Sequence, residues 1–414
     1  MDRHTGNGDS VGVLSYPIIV HCHLQWEWVW QRPQQIFSRL IKSHRVLFVE
    51  TLPPSHELQS PRIRRHHPVH DNLIGAQVQF PCSCWHDGAF VDRERRRLVQ
   101  DLLSGPLLGK FEAPVQWFYD PMAVTAFAGY MGESAIVYDC MDELSKFKFA
   151  PPEIIQRERT LLSLADVVFT GGRRMFEAKQ PYNPNCHFYG CGVEVEHFEK
   201  AMSETLLLPE DVKGIPSPRL GYVGVVDERI DYELLAELAD ANAAWQVVMV
   251  GPVAKVDPNA LPRRKNLHWL GGKKYDDLPG YIKGFDVCLM PFALNEATEF
   301  INPTKALEYM ATGRPIVSTA IADVVTNFPS VAIARNVSEF IQFCREAVES
   351  PSQERIRAGL KQASENTWDS IVAKMDDHIE TALARKSGRQ FLHEAHLDLI
   401  HRGGLIPLSE PAAF

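Results

Sequence analysis

Residues 287–319 read VCLMPFALNEATEFINPTKALEYMATGRPIVST. The apolar run at 287–291 has the length of a buried strand, and the run at 315–319 is another. Between them lies a complete short helix. Asn302 is a good N-cap, Pro303 suits the first helical position, Gly313 takes the left-handed position after the last turn, and Pro315 prevents continuation. A helix that begins past a strand end turns its unpaired N–H groups toward a site where an anion is favoured. Lys305 adds a full charge in that first turn, and Glu308, three residues on, shares its face. A lysine and a glutamate at helical spacing by themselves describe any surface helix. What sets this one apart is the polar loop that precedes it, with Asn295, Glu296, Thr298 and Glu299 directly after an apolar strand end, placed to read hydroxyl groups.

The same rhythm of short apolar runs and longer amphipathic stretches runs through the whole chain and predicts parallel sheets crossed by helices. It occurs twice. Strands are expected at 17–22, 45–49, 76–80, 115–119, 135–139 and 167–170, and again at 220–224, 246–251, 267–270, 287–291, 315–319 and 330–334. Between the two sets, 199–218 carries breaker residues and no strong period. The expected fold is α/β, with two doubly wound, Rossmann-like parallel-sheet domains facing a cleft. Their bounds are 1–205 and 206–365, and 366–414 forms a helix returning to the first domain plus a tail. Open sheets of this kind bind ligands outside the carboxyl ends of their strands.

Composition narrows the class. With 414 residues, 45% hydrophobic and 23% charged, the chain is long enough for two ordinary cores. A net charge of -9 argues against a nucleic-acid partner. Arg62, Arg64 and Arg65, and then Arg93, Arg95, Arg96 and Arg97, read as solvated surface, with attraction to anionic headgroups as the alternative. The eight cysteines show no recurring metal-ligand spacing, so free thiols are expected and no metal site. The first fifteen residues lack the apolar core of a signal peptide, and no run reaches membrane-spanning length. A cytoplasmic protein that visits the inner face of a membrane is the expectation.

Strand ends supply the remaining candidates. Gly224, at the end of the 220–224 strand, permits close approach to a ligand, and Arg229 follows in a polar turn. After the first strand come His23 and three tryptophans at alternating positions, Trp26, Trp28 and Trp30. These rings either fill a core or stand over the cleft, where aromatic faces pack against sugar rings. Asp139 and Asp142 follow the 135–139 strand and Asp120 the 115–119 strand. Such carboxylates accept protons, hold hydroxyls or cap the next helix.

The run Pro291-Phe292, the polar loop, Asn302-Pro303-Thr304-Lys305-Ala306-Leu307-Glu308-Tyr309 and Gly313-Arg314-Pro315-Ile316-Val317 resembles the donor-binding signature of GT-B glycosyltransferases related to family 4. Within them it looks most like the branch typified by teichuronic-acid biosynthesis transferases, as does the Trp-x-Trp-Val-Trp-Gln-Arg-Pro run at 26–33. The resemblance covers most of the chain. It implies GT-B architecture, with Glu308 on the ribose of a nucleotide-sugar donor, Lys305 and Arg229 on its diphosphate, and Gly224, Asn302, Thr304, Asn295, Glu296 and Thr298 completing the donor site. From the residues themselves, a carbohydrate or lipid-linked acceptor is expected to meet Trp26, Trp28, Arg32, Asp120 and Asp139 in the first domain, with Asp142 or His23 the expected catalytic base if transfer is inverting. The resemblance further implies retention of configuration and cell-surface polysaccharide synthesis; a UDP-sugar is the expected donor, and no cofactor is expected. One position departs from the pattern: the second glutamate expected eight residues before Glu308 is Phe300.

Missing motifs agree with this. There is no Asp-x-Asp triad for metal-bound diphosphate, no Gly-rich loop ending in Gly-Lys-Ser/Thr and no Gly-x-Gly-x-x-Gly after the first strand. A nucleotide-sugar epimerase of the same architecture and a non-catalytic saccharide-binding or scaffold protein are the competing readings.

Overall fold

β1 (Ile18–Cys22) is buried along its whole length, as expected of a strand covered by helices on both faces of a parallel sheet. A computed structural model describes residues 14–66, 70–147, 150–296 and 298–401, with side chains described to residue 388. Residues 1–13, where a leader was sought, and 402–414 of the tail lie outside them. Beside β1 run β2 (Val46–Thr51), β3 (Arg62–His66), β4 (Leu73–Gln79), β5 (Val115–Phe118), β6 (Ala135–Cys140), β7 (Val167–Thr170) and β8 (Cys186–Phe188). Their order is β3-β4-β2-β1-β5-β6-β7-β8, parallel throughout except for the antiparallel β3–β4 pair.

The second sheet comprises β9 (Arg219–Val223), β10 (Gln246–Val250), β11 (Leu267–Trp269), β12 (Val287–Met290), β13 (Ile316–Thr319) and β14 (Ala332–Ala334), all parallel, in the order β11-β10-β9-β12-β13-β14. The order of the parallel strands switches sense at β1/β5 in the first sheet and at β9/β12 in the second, and such switch points are where ligands enter these sheets. Strands β3 and β8 escaped the sequence reading. β3, RIRRH, is an exposed edge strand rich in arginine, and β8 has only three residues, so neither shows the apolar run of a central strand.

Helix Trp368–His401 closes the first domain. Trp368, Val372, Met375, Ile379 and Ala382 recur at helical spacing and pack against Ile18, Val20, Phe37, Trp117 and Phe169. The chain thus crosses between domains twice, and the two crossings touch where Val193 N–H donates to Asn366 O at 2.9 Å. Gly192 is required there, because a Cβ would lie 2.8 Å from the Trp368 nitrogen.

Polar contacts tie the domains across the cleft. Tyr275 of the second domain donates to Glu194 at 2.7 Å and receives a bond from Gln35 of the first at 3.0 Å. Asp323 accepts from the backbone N–H of Arg173 at 2.8 Å, and Asn302 Nδ2 donates to Gly171 O at 3.1 Å. All eight cysteines are free thiols. Among the described residues no helix is long and apolar enough to cross a membrane.

Candidate active site in the interdomain cleft

Two glycines shape the floor on the second-domain side. Gly224, after β9, has φ +145° and Gly251, after β10, has φ +152°, conformations that L side chains rarely adopt. A Cβ on Gly251 would fall 1.8 Å from Gly224 O, so the two strand ends lie in direct contact. Helix Lys305–Ala311 is set against them by Tyr309, whose hydroxyl accepts from Val223 N–H at 2.7 Å. This places Lys305 beside Gly224, with its Nζ 5.3 Å from the Tyr222 ring centroid and 5.9 Å from that of Phe292. Both rings sit within cation–π reach.

Charges crowd into this space. Burial, followed by the nearby Arg229 guanidinium, pulls the Lys305 ammonium below its ordinary pKa. Among the described residues it makes no ion pair. Arg229, which lines the central space, is gripped by Asp227, with Nε to Oδ1 at 3.0 Å and Nη2 to Oδ2 at 2.7 Å. Glu308 lines the same space, and burial raises its carboxyl to about 7. From the first domain, Asp142 lines it too. Burial holds the Asp142 carboxyl above its ordinary range, opposed by Arg229 and His23. Burial also lowers His23, against the pull of Asp120 and Asp142.

Two larger cavities flank this centre. One, of about 650 Å³, lies between the Trp26–Trp30 loop and the second-domain segments around Gly224, Gly251, Gly272 and Tyr275. The other, of about 510 Å³, opens at the first sheet's switch point and is lined by His23, Leu52, Trp85, Arg95, Asp120 and Arg157 among others. The arrangement has an anion-seeking centre, an apolar and glycine-floored recess on one side and a polar pocket with an aromatic ring on the other.

Of the expected site residues, Gly224, Arg229, Asn302, Thr304, Lys305, Glu308, Asp142 and Arg32 line the central space together, and His23 and Asp120 line the first-domain pocket. Several expectations are corrected. Asn302 is not the N-cap: the helix begins at Lys305 after Thr304, and the Asn302 amide reaches across to the first domain instead. Asn295 and Thr298 fold the loop on itself, and Glu296 turns to the first domain across the cleft. Thr298 is only 2% exposed, its N–H donates to Asn295 Oδ1 at 3.2 Å, and Glu296 pairs with Lys146 at 3.4 Å.

Asp139 is 0% exposed and forms an ion pair with Arg32 at 2.9 Å, while Arg32 also donates to Tyr189 O at 2.9 Å. This is a buried brace, so an acceptor cannot reach Asp139. Trp26 and Trp28 stand in the recess beside the second-domain glycines, apart from His23 and Asp120, and Trp26 also packs edge-on against Phe48. The arginines at 93–97 form no single surface patch either. Arg96 donates to Ala126 O at 2.6 Å, Arg97 pairs with Glu94 and Asp101, and Arg95 is buried.

Residues that sequence reasoning missed include Gly251, Asp227, Tyr275 and Arg95. For Gly251 the signal was present, a glycine closing a strand as at Gly224. Arg95 was legible in the spacing of Val91, Arg95, Leu98 and Leu102, one face of helix Gly88–Ser104.

Two sheets facing a cleft, with a cationic centre at the second switch point, define the architecture of the GT-B glycosyltransferases. Residues 217–349, most of the second domain, match the family described as glycosyl transferases group 1. TuaH of Bacillus subtilis (strain 168), named as a teichuronic acid biosynthesis glycosyltransferase, is 26% identical over 206 residues, 44% of this chain and 50% of that protein. The matched region thus spans about half the length of that curated relative. Solved structures share the fold over nearly the full chain. Sucrose-phosphate synthase from Thermosynechococcus elongatus aligns with a TM-score of 0.66 at 14% identity, over 90% of this chain and 100% of that one. A UDP-forming alpha,alpha-trehalose-phosphate synthase from Burkholderia xenovorans aligns at 0.65 and 14%, over 88% and 100%.

Proposed function

We propose that the protein is a glycosyltransferase that moves a sugar from a nucleoside diphosphate donor, held by the second domain, to a carbohydrate or lipid-linked acceptor held by the first. The observation that carries this reading is the Lys305 ammonium, which makes no ion pair among the described residues and lines the same central space as the Arg229 guanidinium. Two cations forced together favour an anion between them. The diphosphate sits there, the nucleoside in the glycine-floored recess, and the ribose hydroxyls bond to Glu308. UDP is the nucleotide this reading favours, in keeping with the UDP-forming neighbour of the same fold.

In the reaction the bond between the anomeric carbon and the diphosphate oxygen breaks as Lys305 and Arg229 stabilise the charge that develops on the leaving group. These side chains do the work that a metal ion performs elsewhere, so none is required. The acceptor hydroxyl then bonds to the anomeric carbon on the face the diphosphate leaves, with retention, and its proton passes to the departing diphosphate oxygen. Asp142, at the junction of centre and acceptor pocket, positions that hydroxyl, and His23 supports it. Arg62, Arg64 and Arg65, exposed on β3, are where a membrane bearing a lipid-linked acceptor of a cell-surface polysaccharide would be met.

The test is to incubate the protein with UDP-sugars, with and without oligosaccharide and lipid-linked acceptors, and follow donor and product together. Acceptor-dependent release of UDP, reduced at least about a hundredfold in Asp142→Asn, is expected. Conversion of the donor without acceptor would instead identify an epimerase.

A further inference from the structure

Arg95 is the one buried arginine of helix Gly88–Ser104, and its surroundings do not account for it. Its side chain is 6% exposed, Nε is buried without a partner, and the guanidinium makes no hydrogen bond or ion pair among the described residues. Its position on the helix fixes where it points. It shares the buried stripe with Val91, Leu98 and Leu102, but lies near the helix start, where the stripe runs out into the 510 Å³ pocket at the β1/β5 switch point. A desolvated guanidinium left unpaired is destabilising, so such a group is retained where a partner arrives.

The carboxylates nearby are already engaged. Asp92 is held by Arg157 at 2.9 Å, and Arg157 also donates to Met122 O at 2.7 Å. Asp120 Oδ1 accepts from Met122 N–H at 2.9 Å and approaches Arg95 only at longer range. Glu153 is exposed at the rim. The ring of Trp85, 39% exposed, forms a wall of the pocket, with its centroid 6.0 Å from Arg95 Cζ. A flat aromatic face beside a planar fork of N–H donors suits a pyranose ring that carries an anionic group.

We propose that the first-domain pocket takes an acceptor sugar bearing a carboxylate or a phosphate, with the Arg95 guanidinium as the anchor of that anion and Trp85 as the platform for the ring. The inference rests on the transfer reading above and names the class of its acceptor. Both anion types present two coplanar oxygens to a guanidinium, so they share one recognition chemistry. His23 and Asp120 line the same pocket, and His23 is near enough to Asp142 of the donor centre for that carboxylate to act on its pKa. An anion held by Arg95 therefore places the sugar in the pocket that His23 connects to the donor centre.

Ligand-observed NMR titrations of glucuronate, glucose 6-phosphate and glucose against the full chain, with and without saturating UDP, test this. At least one of the anionic sugars should bind about tenfold or more tightly than glucose, as a charged bidentate contact implies. Glucuronate favoured marks the carboxylate source, glucose 6-phosphate the phosphate. The preference should fall below about twofold in Arg95→Gln, while UDP affinity stays within about twofold of wild type. Arg95→Lys keeps the charge in the pocket but loses the fork. It should weaken the anionic sugar severalfold and leave glucose unchanged, which decides the matter if Arg95→Gln does not fold. Equal binding of all three sugars to wild type, or a preference that survives Arg95→Gln, would overturn the proposal. Failure of UDP to bind wild type counts against the donor site, and the sugar ranking without UDP still decides the acceptor class.

Discussion

Gly224 and Lys305 occupy the same space: a Cβ built on Gly224 would lie 2.1 Å from Lys305 Cε and 2.6 Å from Nζ. The glycine's φ of +145° would also strain any other residue. The strand end and the helix cation are therefore one device, and the lysine reaches the cleft because position 224 has no side chain.

Replacing Gly224 by alanine should displace Lys305 and strain the backbone together. A stability loss of about 2–3 kcal/mol and a drop in donor affinity of at least about tenfold are expected. Chemical denaturation and nucleotide titration of the same sample check both. Gly214, whose Cβ would meet nothing within 4 Å, is the control, and Gly214→Ala should leave donor affinity unchanged.

Glu308 trades stability for binding. Burial raises its carboxyl to about 7, so the folded protein keeps a proton that the unfolded chain has already lost between about pH 4.3 and 7. The group's contribution is full below the unfolded value and is lost as pH rises through 7. Glu308→Gln should therefore match wild type in stability near pH 4 and exceed it by about 2 kcal/mol at pH 8, after allowing for partial exposure. The same variant should bind UDP-sugar more weakly, and the rise in wild-type affinity through pH 7 should be absent from it. Thermal melts across pH, with donor titrations at pH 6 and 8, measure both halves.

The Arg32–Asp139 pair braces the first domain, so its loss should appear in folding and not in acceptor recognition. Asp139→Ala leaves the buried guanidinium uncompensated, and about 3–5 kcal/mol of stability should go with it. At a temperature where the variant remains folded, its acceptor KM should stay within about twofold of wild type. A KM effect without loss of stability would restore Asp139 to the acceptor site.

Much of this architecture was legible in the chain. Residues 287–319 already contained strand, helix and strand, and Asn302, Thr304, Lys305 and Glu308 supplied four of the residues that line the central space. What failed to read was polarity whose purpose is local. Asn295, Glu296 and Thr298 had the composition of a sugar-binding loop, yet two of them fold the loop on itself and Glu296 pairs with Lys146 across the cleft. Asp139 sat at a strand end like Asp142, and only the approach of Arg32, 107 positions away, makes one a brace and leaves the other facing the cleft. Arg95 was hidden among three other arginines, although its helical register with Val91 and Leu98 set it apart. Spacing reveals which face of an element a residue occupies. Which partner it meets there is decided by the tertiary fold.

The most direct measurement is calorimetric titration of UDP and GDP into the wild-type protein and into Lys305→Ala. One nucleotide, UDP, should bind wild type selectively, and the variant should lose at least about thirtyfold in affinity, the worth of a charge-assisted contact of about 2 kcal/mol. Wild type that binds neither nucleotide, or a Lys305→Ala protein that binds as tightly as wild type, would contradict the assignment of this cleft as a nucleotide-sugar site.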